Sequence, residues 1–123
     1  MLDGLRVLVV EDEAAISMLL EELLDALGCT VVAVAARLED AMQKARTLAV
    51  DIAMLDVNLA GKQSYPVAQI LRDRDIPFFF ATGYGVEGLS ADLQDAPVLV
   101  KPFRQAQLAA MLGAASRTRP GSG

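Results

Sequence analysis

Five polar residues stand directly after short apolar runs. Glu11 and Asp12 follow Val7-Leu8-Val9-Val10, Asp56 follows Ile52-Ala53-Met54-Leu55, Thr82 follows Phe78-Phe79-Phe80-Ala81, and Lys101 follows Val98-Leu99-Val100. Together they offer three carboxylates, a hydroxyl and an ammonium. Carboxylates packed close together repel one another and are driven to take up protons unless a cation neutralises them. Mg2+ suits such a set, because it takes oxygen ligands in an octahedron and keeps several waters. The adjacent Glu11 and Asp12 read as metal ligands. Asp56 stands alone at its run's end and is the best-placed carboxylate nucleophile. Lys101, one of three lysines, and Thr82 would supply a cation and a hydrogen-bond donor to the equatorial oxygens of a transferring phosphoryl group. Each residue also has an ordinary use: Asp12 as a helix N-cap, Asp56 in an Asx turn, Lys101 as a solvated charge. All of them at strand ends together favour one site.

The elements that must position these residues alternate along the chain. Val7 to Val10 is a continuous aliphatic run, as expected of a strand buried on both faces of a parallel sheet. Ile16, Leu19, Leu20, Leu23, Leu24 and Leu27 then fall on one helical stripe, with Asp12 as its expected N-cap and Gly28 closing it. Thr30 to Ala35 reads as a second strand. Leu38, Ala41, Met42, Ala45 and Ala49 form the next helical stripe. Ile52 to Leu55, Phe78 to Ala81 and Val98 to Val100 are the remaining strands. Pro66 opens a helix carrying Val67, Ile70 and Leu71, and a last helix carries Leu108, Met111, Leu112 and Ala115. Three glycines between Gly83 and Leu89, each costing about 1 kcal/mol in a helix interior, predict that any helix there is short or mobile. Arg117 to Gly123 reads as a flexible tail, which leaves residues 1–116 as one domain. Five strands alternating with helices predict a doubly wound parallel α/β sheet, in which ligands bind beyond the carboxyl ends of the strands.

Composition narrows the chemistry. The 123 residues include no histidine, which removes Ser-His-Asp and Cys-His catalysis, histidine metal ligation and any phosphohistidine carrier role. The lone Cys29 forms no internal disulfide and no Cys-x-x-Cys site, and its apolar setting reads as inert packing. A net charge of −5 with scattered basic residues argues against a surface that tracks nucleic-acid phosphates. The longest stretch without a charged residue, the twelve from Gln105 to Ser116, falls short of the roughly 18 a membrane span needs. The first residues, Met1-Leu2-Asp3-Gly4-Leu5-Arg6, carry an acid where a secretory signal is basic, so a cytoplasmic location is expected, away from membranes.

The chain resembles the receiver domains of two-component response regulators. The resemblance spans Val7 to about Ser116 and rests on Val9-Val10-Glu11-Asp12-Glu13, Met54-Leu55-Asp56-Val57-Asn58-Leu59, Thr82, and Lys101-Pro102-Phe103. It implies a flavodoxin-like (βα)5 fold with strand order 2-1-3-4-5. It also implies that Asp56 accepts a phosphoryl group from a phosphohistidine on a histidine kinase. Glu11, Asp12, Asp56 and the backbone carbonyl of Asn58 would surround Mg2+, Thr82 and Lys101 would bind phosphoryl oxygens, and the Lys101-Pro102 peptide would be cis. Such a protein is a phosphoacceptor with self-catalysed transfer and autodephosphorylation, not an enzyme acting on a separate substrate. With no output domain after the receiver, it would signal by contact with a downstream protein or phosphotransfer partner, or drain phosphate from a kinase.

Two features depart from the common pattern. Receivers commonly carry Tyr or Phe three residues before the lysine, where this chain has Val98. Phe80-Ala81-Thr82-Gly83-Tyr84-Gly85 resembles the FAT GUY group of single-domain receivers, associated with HWE or related histidine kinases. Without the usual aromatic, the expected switch is the glycine-rich segment, with Gly83, Tyr84 and Gly85 as its candidate residues and residues 83–95 reorganising. Three alternatives compete. A phosphorylation-independent module on the same fold is disfavoured by the intact acid, Thr and Lys set. A haloacid-dehalogenase-type phosphatase needs Asp-x-Asp-x-Thr after the first strand, which Glu11-Asp12-Glu13 does not supply. Flavin binding wants a Ser/Thr-rich phosphate loop there, where these acids would repel the phosphate.

Overall fold

The computed structural model describes residues 2–83, 93 and 96–116. In chain order the elements are β1 (Arg6–Val10), α1 (Ala14–Ala26), β2 (Thr30–Ala35), α2 (Leu38–Thr47), β3 (Ile52–Asp56), β4 (Asn58–Leu59), β5 (Lys62–Gln63), α3 (Tyr65–Asp73), β6 (Phe78–Thr82), β7 (Val98–Val100) and α4 (Gln105–Ser116). β2, β1, β3, β6 and β7 form one sheet in that order, every pairing parallel. This is the expected 2-1-3-4-5 arrangement. The antiparallel hairpin β4–β5 stands apart from it.

Alternation along the central strands builds two cores, as expected where successive side chains point to opposite faces. Leu8, Val10, Ala53, Leu55, Phe78 and Phe80 pack on one face with Ala41 and Ala45 of α2 and Val67, Ala68 and Leu71 of α3. Val7, Val9, Ile52, Met54, Phe79 and Ala81 pack on the other with Leu20 and Leu24 of α1 and Leu108, Leu112 and Ala115 of α4. Phe80 is held on its face by edge-on contacts with Tyr65 and Phe78 at centroid distances of 6.2 and 5.7 Å. Because both faces of β1, β3 and β6 are covered, these strands keep their polar residues for their ends.

Several local expectations are corrected. Glu13, not Asp12, occupies the N-cap of α1, and no side chain caps that end. The Asp12 carboxylate instead accepts the Ala60 N–H at Oδ2, 3.0 Å away. Leu19, expected on the buried stripe of α1, is 53% exposed beside Met18 at 62%, because the buried face centres on Ser17, Leu20 and Leu24. Ala49 lies beyond α2, which stops where Leu48 turns extended at ψ 145°, and Val50 enters the core in its place. Gly28 follows the end of α1 at φ +89°, a left-handed conformation that suits glycine. The glycine-rich segment beyond Gly83 and the tail at 117–123 lie outside the described residues.

Candidate functional site

Parallel register delivers the five polar residues to one edge. Val10 pairs with Leu55, so Glu11 continues β1 beside Asp56, and the Glu11 N–H also donates to the Ala35 carbonyl at 3.0 Å. Asp56 pairs with Ala81, and Thr82 with Val100. Lys101 follows at once, its N–H donating to the Thr82 carbonyl at 2.9 Å. The Lys101-Pro102 peptide is cis, as the resemblance implied.

The side chains meet in an open cleft of about 530 Å³, whose lining includes Asp12, Asp56, Asn58, Thr82, Gly83 and Lys101. Glu11 lies beneath it, 2% exposed. The Lys101 Nζ donates to Glu11 Oε1 at 3.1 Å and stands 3.6 Å from Asp56 Oδ2. The other Glu11 oxygen accepts the Glu13 N–H at 3.2 Å. Burial nevertheless pushes the Glu11 carboxyl above its ordinary value, aided by the Asp56 charge and opposed by Lys101 and the Glu13 N–H. For Lys101, burial works to lower the ammonium's value. The Glu11 hydrogen bond and the charges of Asp56 and Glu11 outweigh it and hold the value above the usual lysine range.

Glu11, Asp12 and Asp56 each offer an oxygen within 4.8 Å of the others. Three carboxylates against one ammonium leave an excess of negative charge, and the donors are all oxygen. Such a set fits a hard divalent cation and offers zinc neither nitrogen nor thiolate. Asn58 opens β4 one residue beyond Val57, which follows the end of β3 at Asp56. Its N–H leans on Asp56 Oδ1 at 3.4 Å, and its side-chain oxygen accepts the Gly61 N–H at 2.9 Å.

The sequence reading missed the hairpin that closes one side of the cleft. Ala60, Gly61 and Gln63 also line it, and Ala60 takes up φ +51° to turn its N–H onto Asp12. The Asn58-x-x-Gly61 spacing was the available turn signal. Among the expected switch residues, Gly83 is exposed at the cleft, while Tyr84 and Gly85 lie outside the described residues. Val98 is half-buried, pairs with Phe80 and packs on the α2–α3 side of the sheet. Cys29 is buried without a disulfide, and burial pushes its thiol up, in keeping with an inert packing role.

A family model described as the response regulator receiver domain matches residues 7–113. The chain belongs to that family. The receiver is similar to SdrG from Sphingomonas melonis Fr1, at 40% identity over 94% of this chain and 98% of that one, with a TM-score of 0.81. The receiver domain of the sensor histidine kinase PA1611 from Pseudomonas aeruginosa PAO1, solved with a magnesium ion coordinated in its active-site cleft, matches at 26% identity with a TM-score of 0.78. It covers 94% of this receiver and 99% of that chain. Among curated proteins, the phyllosphere-induced regulator PhyR of Methylorubrum extorquens is 31% identical over 122 residues, 89% of this receiver and 43% of PhyR. The receiver spans about half the length of the curated relatives it matches. No helix among its described residues is long and apolar enough to cross a membrane.

Proposed function

We propose that this receiver is a Mg2+-dependent phosphoacceptor of a two-component pathway, loaded on Asp56 by a histidine kinase in the cytoplasm. The observation that carries the reading is the pairing of three carboxylates, with oxygens within 4.8 Å of one another, and an ammonium set 3.1 Å from Glu11 and 3.6 Å from Asp56. An oxygen of Asp56 attacks the phosphorus of the donor's phosphohistidine. The phosphorus–nitrogen bond breaks, its electron pair returns to the imidazole, and an acyl phosphate forms. Glu11, Asp12, Asp56 and the Asn58 carbonyl would hold Mg2+, which when bound offsets charge on the incoming phosphoryl oxygens. Lys101 moves its ammonium from the carboxylates toward the new phosphoryl oxygens, and Thr82 donates its hydroxyl to another. Glu11, Asp12 and Asp56 repel a phosphoryl dianion by themselves, so loading depends on the cation.

The Phe80 to Gly85 motif supports a kinase of the HWE type as donor, and reorganisation of residues 83–95 as the output, with Tyr84 presented to a downstream protein or phosphotransfer partner. The receiver unit runs from residue 1 to the end of α4 at Ser116. Phosphotransfer profiling against the histidine kinases of the source organism tests this reading. The expected result is rapid loading of wild type by one kinase and none of Asp56→Asn. Equal loading of both would remove Asp56 from the mechanism. A signalling role predicts a partner that binds only the loaded form, whereas a phosphate sink predicts faster net turnover of the kinase's phosphate.

A further inference from the structure

We infer that Gln63 positions the water that hydrolyses the Asp56 acyl phosphate and so sets the lifetime of the loaded state. This rests on the phosphoacceptor reading above. The polar groups of the cleft already have assignments: the carboxylates to the cation, Lys101 and Thr82 to the phosphoryl oxygens, and the Asn58 side-chain oxygen to the Gly61 N–H at 2.9 Å. Among the described residues, Glu13 and Gln63 are the remaining polar side chains of the lining. A Glu13 carboxylate is repelled by a phosphoryl group that is itself anionic. Gln63 carries a neutral carboxamide, able both to accept a hydrogen bond from water and to donate one to a phosphoryl oxygen.

The hairpin holds the Gln63 backbone in place even though the residue is exposed. Gln63 on β5 pairs with Asn58 on β4, and Asn58 lies two residues past Asp56, the last residue of β3. The hairpin is pinned at three points: Ala60 N–H to Asp12 Oδ2 at 3.0 Å, Gly61 N–H to Asn58, and Ser64 N–H to the Val57 carbonyl at 2.8 Å. The Gln63 carboxamide makes no hydrogen bond among the described residues, so it is available to a solvent molecule. Asp56 is only 15% exposed at the base of the cleft. Attack in line with the phosphorus–Asp56 bond must come from the cleft, which Gln63 lines. The water oxygen attacks phosphorus and the phosphorus–oxygen bond to Asp56 breaks, its electron pair returning to the carboxylate. The water's protons pass to the phosphate product and to solvent.

The test loads the purified protein with phosphoramidate and Mg2+, removes the donor, and follows the acyl phosphate by intact mass. Gln63→Ala and the length-matched Gln63→Met should load at the wild-type rate with unchanged Mg2+ affinity. Both should lose the phosphoryl group about five- to tenfold more slowly, the range a single hydrogen bond to the attacking water contributes. Lys62→Ala, on the same hairpin but engaged with Glu39, should keep the wild-type lifetime. Lifetimes of both Gln63 variants within twofold of wild type would overturn the inference, as would a matching change in Lys62→Ala or a loss of Mg2+ affinity. Failure of wild type to load on Asp56 would instead contradict the phosphoacceptor reading.

Discussion

Glu11 is the residue at which folding and chemistry pull in opposite directions. Its carboxyl is buried beneath the cleft, and burial raises it above the ordinary carboxylate value even with Lys101 at 3.1 Å. A group raised in the folded state contributes stability that is fully present below its unfolded value, about 4.3, and lost as pH rises through the folded value. Ionised Glu11 therefore costs the metal-free protein stability at neutral pH. Glu11→Gln keeps an acceptor for Lys101 and removes the charge. In urea unfolding without Mg2+ at pH 7.5 the variant should be the more stable protein, and its advantage should shrink as the pH falls toward 5. A less stable Glu11→Gln at pH 7.5 would show that the Lys101 pairing outweighs the burial. If Glu11 holds the cation as proposed, the same exchange should weaken Mg2+ binding, because that ligand oxygen would lose its charge.

At the scale of elements, what could be read from the residues and what could not have a common cause. β1, β3 and β6 were legible because burial on both faces demands continuous apolar runs, and the polar residue ending each run then stands out. Glu11, Asp12, Asp56 and Thr82 were found that way, Lys101 by the shorter apolar run of the edge strand β7, and parallel register brings them to one edge. The β4–β5 hairpin was not legible, since strands of two residues carry no period. The N-cap expectation failed because α1 begins one residue later, with Glu13 at its N-cap, while Asp12 accepts a hydrogen bond from this hairpin. Leu19 fell off the buried face of α1 because a stripe read from spacing does not say where its edge meets solvent. The hairpin also yields a test. Ala60 holds φ +51°, a region that costs an L residue about 1–2 kcal/mol and glycine nothing. After the extra unfolded-state entropy of glycine is subtracted, Ala60→Gly should raise stability by roughly 0.5–1 kcal/mol, read from denaturant midpoints at unchanged slope. A drop of similar size would mean that the side chain packs usefully where the turn is made.

At the scale of the whole molecule, one sheet packed on both faces leaves its carboxyl edge as the place where unlike charges can be concentrated. The cost of that concentration should appear as a dependence of global stability on the cation. If Mg2+ binds the folded site alone, thermal or urea stability should rise by about 2.7 kcal/mol at a free concentration roughly a hundredfold above Kd. Asp12→Asn should lose most of that gain while keeping the fold, since Asp12 faces the cleft and not the core. An Asp12→Asn protein stabilised by Mg2+ as strongly as wild type would place the cation elsewhere. The central claim, that Asp56 carries the phosphoryl group, is tested most directly by intact-mass and peptide-level analysis after treatment with phosphoramidate. Wild type with Mg2+ should gain the mass of one phosphoryl group, mapped to the peptide containing Asp56, and neither Asp56→Asn nor chelator-treated wild type should gain it. An equal gain in Asp56→Asn, or no gain in wild type with Mg2+, would contradict the account.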